Sequence, residues 1–316
     1  MGAAAISKVD MKKGRVCLVG AGPGDPDFLT LKALRLLQTA DVVFHDDLVS
    51  PEILDLIPVG TYVENVGKRC GYPSTTQHQI HSLLINAAKE GLSVVRLKSG
   101  DPLVFGRAGE EMEALREAGI EFEVVPGITA AFGAAAKAKI PLTDRRLASK
   151  MVFLSNHHCA DKTPPDWKDV VSDDATVVIY MPSTDYDSLA TRLCAAGLEP
   201  QTACLVVSRA TSAQQRVHST PLAKLAEAPW LPAPVLLIIG AVAKNYSSTG
   251  TRTDILEGLS TQLPASDIGT AEVSVGIRAN RDGMASTGAT EQPDVSEADD
   301  QQEFWPQSLG APSSEG

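Results

Sequence analysis

Residues 15–138 alternate short apolar runs rich in β-branched residues with segments whose apolar residues recur at helical spacing. The apolar runs are RVCLV, DVVFHD, TYVENV, LSVVRLK and EFEVV. Between them stand helical stretches at residues 29–38, a short one after Pro51, one opened by the capping-box pattern STTQ at 74–77 and running through Ala88, and one at about 109–117. The small-residue stretch PGITAAFGAAA, opened by Pro126 and Gly127, adds a further helix. Strand and helix taken in turn leave little freedom: the expected fold is α/β with a largely parallel sheet.

The pattern breaks near IPLTDRRLAS, residues 140–149, and resumes as a second α/β unit. Its strands are KMVFLS, ATVVIYM, ACLVVS and PVLLIIG, with helices at about 187–196 and after Pro221. The interior strands are apolar on both faces, as sheets covered by helices require. Beyond about Ser247 the chain turns to Ser, Thr, Gly, Asp, Glu and Pro, a composition that cannot bury enough apolar surface to order itself. The expected organisation is a flexible N-terminus at 1–13, α/β domains at 14–140 and 141–247, and a disordered acidic tail at 248–316.

Charge follows the same division. Of the formal net charge of −11, the segment from Thr251 onward carries −9, with three Lys or Arg against twelve Asp or Glu. The remaining −2 leaves the front of the chain able to bind an anionic small molecule through local cations, and the balance argues against a nucleic-acid partner. The longest apolar run, near 235–243, is too short to span a bilayer, and MGAAAISKVD lacks a signal-peptide core, so a cytoplasmic location is expected. Five scattered cysteines without a CxxC pair read as reduced thiols, Cys17 and Cys204 inside strands and Cys70 in an exposed turn.

Polar residues gather where strands end, the place where open α/β sheets bind ligands. The first strand runs into GAGPGD, residues 20–25. A dinucleotide site would want a third glycine where Asp25 stands, and Pro23 has no amide N–H to offer a pyrophosphate. The second strand ends in Asp46-Asp47, candidates for acid–base work or for a turn before Pro51. Lys68-Arg69 could grip carboxylates, and Asp101 in SGDP could accept from ribose hydroxyls or form an Asp-Pro turn. Tyr180-Met181-Pro182 closes a strand of the second unit, which points to a site between the units. His157-His158-Cys159 has no second ligand cluster at useful spacing, and His78 and His81 share a solvated helix face, so no metal is expected.

Taken together, VGAGPGDPDFLTLKAL, HDDLVSPEIL, VGKRCGYPSTTQ, RLKSGDPLVFGRAGEE, VVPGITAA and IPLTDR resemble the tetrapyrrole methylases. A weaker likeness continues through YMPS, ATSAQQRV and PVLLIIGAV, so that about residues 14–246 are covered. The resemblance implies two αβα domains with a cofactor cleft between them, and S-adenosyl-L-methionine-dependent C-methylation of uroporphyrinogen III at two pyrrole carbons to give precorrin-2, in a homodimer without nucleic acid, membrane or metal. It implies Asp46 as proton acceptor and Lys68 as proton donor. Pro23, Ser99, Gly100, Asp101, Val104, Thr129, Ala130, Met181 and Ala210 match the family's cofactor contacts, with Ser99 and Val104 departing from the commoner residues. Lys68, Arg69, Arg107 and Arg145 are the candidates for the substrate's carboxylates. The rivals are a precorrin or cobalt-precorrin methyltransferase and, from another class, a nicotinamide-dependent dehydrogenase.

Overall fold

The protein is seen in a computed structural model that describes residues 14–67, 76–156, 167–168 and 171–246. The N-terminal segment, Cys70, His157-His158-Cys159 and the acidic tail lie outside the described residues. Those described belong to one compact unit, Met1–Ile255.

The first sheet holds β1 (Val16–Gly20), β2 (Val42–His45), β3 (Tyr62–Asn65), β4 (Val94–Lys98) and β5 (Phe122–Val125), in the order β3-β2-β4-β1-β5. All its pairings are parallel, with Val16 level with both Val94 and Phe122. Alternation along β1 explains the layers. Cys17 and Val19 face the core formed with α1 (Leu31–Leu37) and α2 (Pro51–Leu54), whereas Val16 and Leu18 face the one formed with α3 (Gln77–Lys89) and α4 (Ala108–Glu117). Helix α3 opens two residues later than the STTQ pattern suggests. Thr76 Oγ1 accepts from Gln79 N–H at 3.2 Å while Thr76 N–H donates back to Gln79 Oε1 at 2.7 Å, so the reciprocal cap is Thr76 with Gln79.

The second sheet holds β6 (Lys150–Ser155), β7 (Ala175–Tyr180), β8 (Ala203–Ser208), β9 (Arg216–Pro221) and β10 (Val235–Ile239), in the order β6-β7-β10-β8-β9. Only β6 and β7 run parallel; the other three pairings are antiparallel. Strand β9 was not expected. Its sequence RVHSTP is mostly polar because it is an edge strand with little of its length against the core. One face of this sheet packs on α6 (Tyr186–Ala195) through Leu189 and Leu193.

The other face packs on α5 (Ala130–Ala138), which follows β5 of the first sheet in the chain. Ala131, Ala134, Ala135 and Ala138 lie against Val178, Leu205, Val207, Leu236 and Ile238. The small residues of PGITAAFGAAA are therefore what let one helix sit close against the second sheet. The helix begins at Ala130, after Thr129 as N-cap, rather than at Pro126.

Candidate functional site

Three loops meet beyond the C-terminal ends of β1, β4 and β5. Gly22 and Gly100 exchange backbone hydrogen bonds at 3.1 and 2.7 Å, tying the glycine turn to the SGDP loop. Asp101 Oδ2 accepts from Gly127 N–H at 3.0 Å and its Oδ1 from Leu103 N–H at 2.8 Å, so the carboxylate both forms its own turn and staples the third loop. A Cβ on Gly127 would lie 2.2 Å from Gly100 O, which is why glycine stands there. Ala21 N–H donates to Lys98 O at 2.8 Å and Asp25 N–H to Thr211 Oγ1 at 3.1 Å. With the amides of Ala21, Gly22 and Asp25 given to protein acceptors, this turn is built for loop packing and not as a pyrophosphate cradle, against the dehydrogenase reading.

Between the two sheets lies a cavity of about 200 Å³. Pro23, Ser99, Gly100, Asp101, Val104, Thr129, Ala130, Met181 and Ala210 all line it, and so does Asp46. Tyr180 joins the walls: its hydroxyl is 2.6 Å from Thr129 Oγ1 and accepts from Ala131 N–H at 3.1 Å. Burial pushes the Tyr180 phenol up, so it stays protonated. The Phe105 ring stands 5.0 Å from that of Tyr180. Through Leu48, Met181, Pro234 and Val235 the cavity adjoins a larger hollow of about 750 Å³, also lined by Tyr186 and Trp230. The combination of apolar walls, aromatic rings and two carboxylates suits an apolar ligand with a cationic centre.

A second cavity of about 190 Å³ shares Asp46, Phe105 and Gly106 with the first. Arg96, Lys98 and Arg107 line it. Asp46 therefore stands in a wall common to both. Its neighbour Asp47 turns away and accepts from Asn65 Nδ2 at 3.0 Å, so the adjacent pair divides into one cleft carboxylate and one structural one. Arg107 is exposed and doubly bonded to Glu110 at 2.8 and 2.7 Å. Arg145 is exposed and lines neither cavity, and Lys68 and Arg69 lie outside the described residues.

The family model of the tetrapyrrole (corrin/porphyrin) methylases matches residues 15–226. The chain belongs to that family. This tetrapyrrole methylase is 49% identical over 230 residues to siroheme synthase 2 of Aeromonas hydrophila, an alignment covering 72% of the chain and 49% of that protein. It thus spans about half the length of the siroheme synthases it matches. It is 48% identical over 235 residues to the uroporphyrinogen-III C-methyltransferase of Paracoccus denitrificans, covering 73% of the chain and 82% of that protein. The crystal structure of uroporphyrin-III C-methyl transferase from Thermus thermophilus complexed with S-adenyl homocysteine superposes with a TM-score of 0.64 at 38% identity, covering 73% of the chain and 99% of that one.

Three charged residues of this methylase's site were missed in the sequence. Arg96 and Lys98, each 2% exposed, and Glu111, 0% exposed, form a buried cluster behind Asp46. Arg96 donates to Asp46 and, through Nε, to Glu111 Oε1 at 3.0 Å; Lys98 Nζ donates to the same oxygen at 2.9 Å. Burial, reinforced by the Arg96 charge, pushes the Lys98 ammonium down, while the two carboxylates outweigh burial and hold the Arg96 guanidinium up. The signal was present. Arg96 and Lys98 stand two apart in an otherwise apolar strand, so they share one face, and two buried cations there require buried carboxylates.

Proposed function

We propose that this chain methylates uroporphyrinogen III at two pyrrole carbons, giving precorrin-2, with S-adenosyl-L-methionine as methyl donor. The observation that carries the reading is Asp46 in the wall between two cavities, one lined by every expected cofactor contact and the other by Arg96, Lys98 and Arg107. We assign the first cavity and its adjoining hollow to the cofactor and the second, with Lys68 and Arg69 nearby in sequence, to the carboxylate-rich substrate. The cleft lies between the proposed domains 14–140 and 141–247.

S-adenosyl-L-methionine supplies an electrophilic sulfonium methyl group when bound. The protein's first task is then alignment, which lowers a barrier by up to about 7–11 kcal/mol when reacting groups are held in line. Val104, Met181, Ala210 and the Thr129–Ala130 turn exclude water and fix the donor, and Asp101 holds its loop in register. As the new carbon–carbon bond forms and the carbon–sulfur bond breaks, the pyrrole gains positive charge. Asp46 relieves it by accepting the proton that the ring system sheds.

The test is anaerobic incubation of the purified chain with S-adenosyl-L-methionine and uroporphyrinogen III generated in place, followed by mass spectrometry of the tetrapyrroles. Two added methyl groups are expected. An unmethylated substrate beside measurable S-adenosylhomocysteine binding would move the reading to later corrin intermediates, and absence of that binding would refute the cofactor assignment.

A further inference from the structure

The cleft accounts for Asp46 but not for the charges behind it. Ions taken from water into a protein interior are costly unless each is paired and hydrogen-bonded. Here one guanidinium spans two carboxylates: Arg96 reaches Asp46 with Nη2 and Glu111 with Nε, while Nη1 donates to the carbonyls of Phe44 and Leu97 at 3.4 and 3.3 Å. Glu111, on α4, is the pivot. Its Oε1 accepts from Arg96, from Lys98 and, at 3.5 Å, from Gln77 Nε2 on α3, whereas Oε2 has no hydrogen-bond partner among the described residues. With Asp46 and Glu111 ionised, the two cations are balanced.

We propose that Glu111 is a positioning residue for proton acceptance: its charge, acting through Arg96, offsets the buried cations so that Asp46 can take up a proton during methyl transfer. When Asp46 is neutralised, Glu111 still balances one of the two cations. Without Glu111 both would be left uncompensated at that moment, and a low-dielectric interior magnifies the penalty. Other charged and titratable groups face the cluster. Arg107 and Glu110 pair at the start of α4, His81 comes from α3, His45 Nδ1 donates to the Asp46 carbonyl at 2.9 Å, and Asp101 lies across the cleft. None of them contacts Glu111 Oε1, the oxygen that collects both cations.

The inference rests on the methyltransferase reading, and its test separates the two. Glu111→Gln keeps the shape and the acceptor at Oε1, puts an amide at Oε2, which has no partner among the described residues, and removes the charge. In the uroporphyrinogen III assay kcat is expected to fall about 10–100-fold, up to the low end of the roughly 10²–10⁴-fold that a proton-transfer group itself contributes, since Glu111 acts through Arg96. KM for the tetrapyrrole and the affinity for S-adenosylhomocysteine, read by calorimetry, are expected to stay within about twofold, since the fault lies in proton transfer. Adding Lys98→Met restores the balance, so the double variant should regain about tenfold of the lost kcat at saturating tetrapyrrole, with any rise in KM assigned to the loss of Lys98 from the substrate cavity. A residue that merely supports the fold would give the reverse, because a second lesion in one core worsens the first.

A single variant with kcat within about twofold of wild type, or a double variant no faster than the single, overturns the proposal. If thermal melting shows that the single variant is unfolded, the charge-balanced double decides alone: at saturating tetrapyrrole its kcat must lie within about tenfold of wild type, whatever its KM. An inactive wild-type chain refutes the functional reading and takes this proposal with it, whereas an active wild type beside an undisturbed Glu111→Gln refutes only the role of Glu111.

Discussion

Gly127→Ala tests whether the cleft is held by contact between loops. The backbone at Gly127 is not left-handed, so space alone is at issue. The added Cβ would sit 2.2 Å from Gly100 O and 2.8 Å from Gly20 Cα, both of them backbone atoms with no rotamer to change. Restoring even a 3.0 Å contact requires the loops to part by about 0.8 Å. Overpacking of this kind costs about 1–3 kcal/mol. The same movement pulls Gly127 N–H from Asp101 Oδ2, a charge-assisted bond of 3.0 Å, worth about 1.5–3 kcal/mol. The expected loss is roughly 3–6 kcal/mol out of a typical 5–15 kcal/mol, lowering Tm by about 6–24 °C for a domain of this size. Equilibrium urea unfolding, read at constant m, measures it. Gly109→Ala is the control: a Cβ there meets nothing within 4 Å, and alanine in a helix is favoured by up to about 1 kcal/mol. Because Gly100 and Asp101 line the cleft, Gly127→Ala should also weaken S-adenosylhomocysteine binding by about tenfold or more. A loss under about 1 kcal/mol with unchanged binding would refute the loop-contact argument.

Tyr180→Phe removes the acceptor for Ala131 N–H and the partner of Thr129 Oγ1; leaving these unsatisfied should cost about 1–3 kcal/mol, and a variant as stable as wild type in urea would show that the hydroxyl bridge is dispensable. Burial pushes the Cys204 thiol up to about 12 and raises that of Cys17. Alkylation of the native protein at mildly alkaline pH should therefore spare both while reaching half-buried Cys194, and equal rates at Cys194 and Cys204 would contradict this. Hydrogen bonds from Ser172, Ser149 and Lys150 bring the Asp174 carboxyl from 3.8 down to about 2. A depressed folded value means that the unfolded chain binds the proton first, so this contribution is full above pH 3.8 and is lost as pH falls toward about 2. Asp174→Asn should flatten the urea midpoint against pH in that window, and an unaltered slope would remove Asp174 from acid unfolding.

What was legible in the sequence was whatever obeys a local period. The five strands of the first sheet and the helices between them follow from alternation and helical spacing, and Cys17 and Cys204 are buried as a strand position demands. The nine expected cofactor contacts line one cavity because each stands at a strand end, on a loop leaving it or, for Ala130, at the start of the helix that follows, which the resemblance located residue by residue. Long-range pairing was not legible. Strand β9 is polar and owes its existence to β8, with which it pairs from Ala203 opposite Pro221 to Ser208 opposite Arg216. The cap of α3 shifted because Ser74 and Thr76 each have a glutamine three residues on, Gln77 and Gln79, so the capping-box pattern occurs twice and the helix uses the second. Arg96, Lys98 and Glu111 escaped notice because charge in a strand reads as an exposed face until the sheet shows that face covered by α3 and α4.

Backbone strain marks the same region from an independent direction. Among the described residues, the non-glycine positions with positive φ are Phe105, Arg107, Met181, Ser183, Arg209, Thr211 and Lys139. Lys139 is the left-handed C-cap of α5. The others stand in the loops that carry the cleft: Phe105 and Arg107 beyond the SGDP turn, Met181 and Ser183 beyond β7, and Arg209 and Thr211 on either side of Ala210. A left-handed residue with a side chain costs roughly 1–2 kcal/mol, so six of them persist only where surrounding contacts over-determine the backbone. Those contacts are visible at Thr211, whose hydroxyl accepts from Asp25 N–H at 3.1 Å and whose own N–H donates to Gln215 Oε1 at 2.6 Å. At Thr211 the strain is therefore tied to the tertiary bond that joins the glycine turn of the first sheet to the Ala210 loop of the second. Loosening either loop would release local strain and open the cleft together, so the closed cleft persists only while the contacts between the loops outweigh that strain.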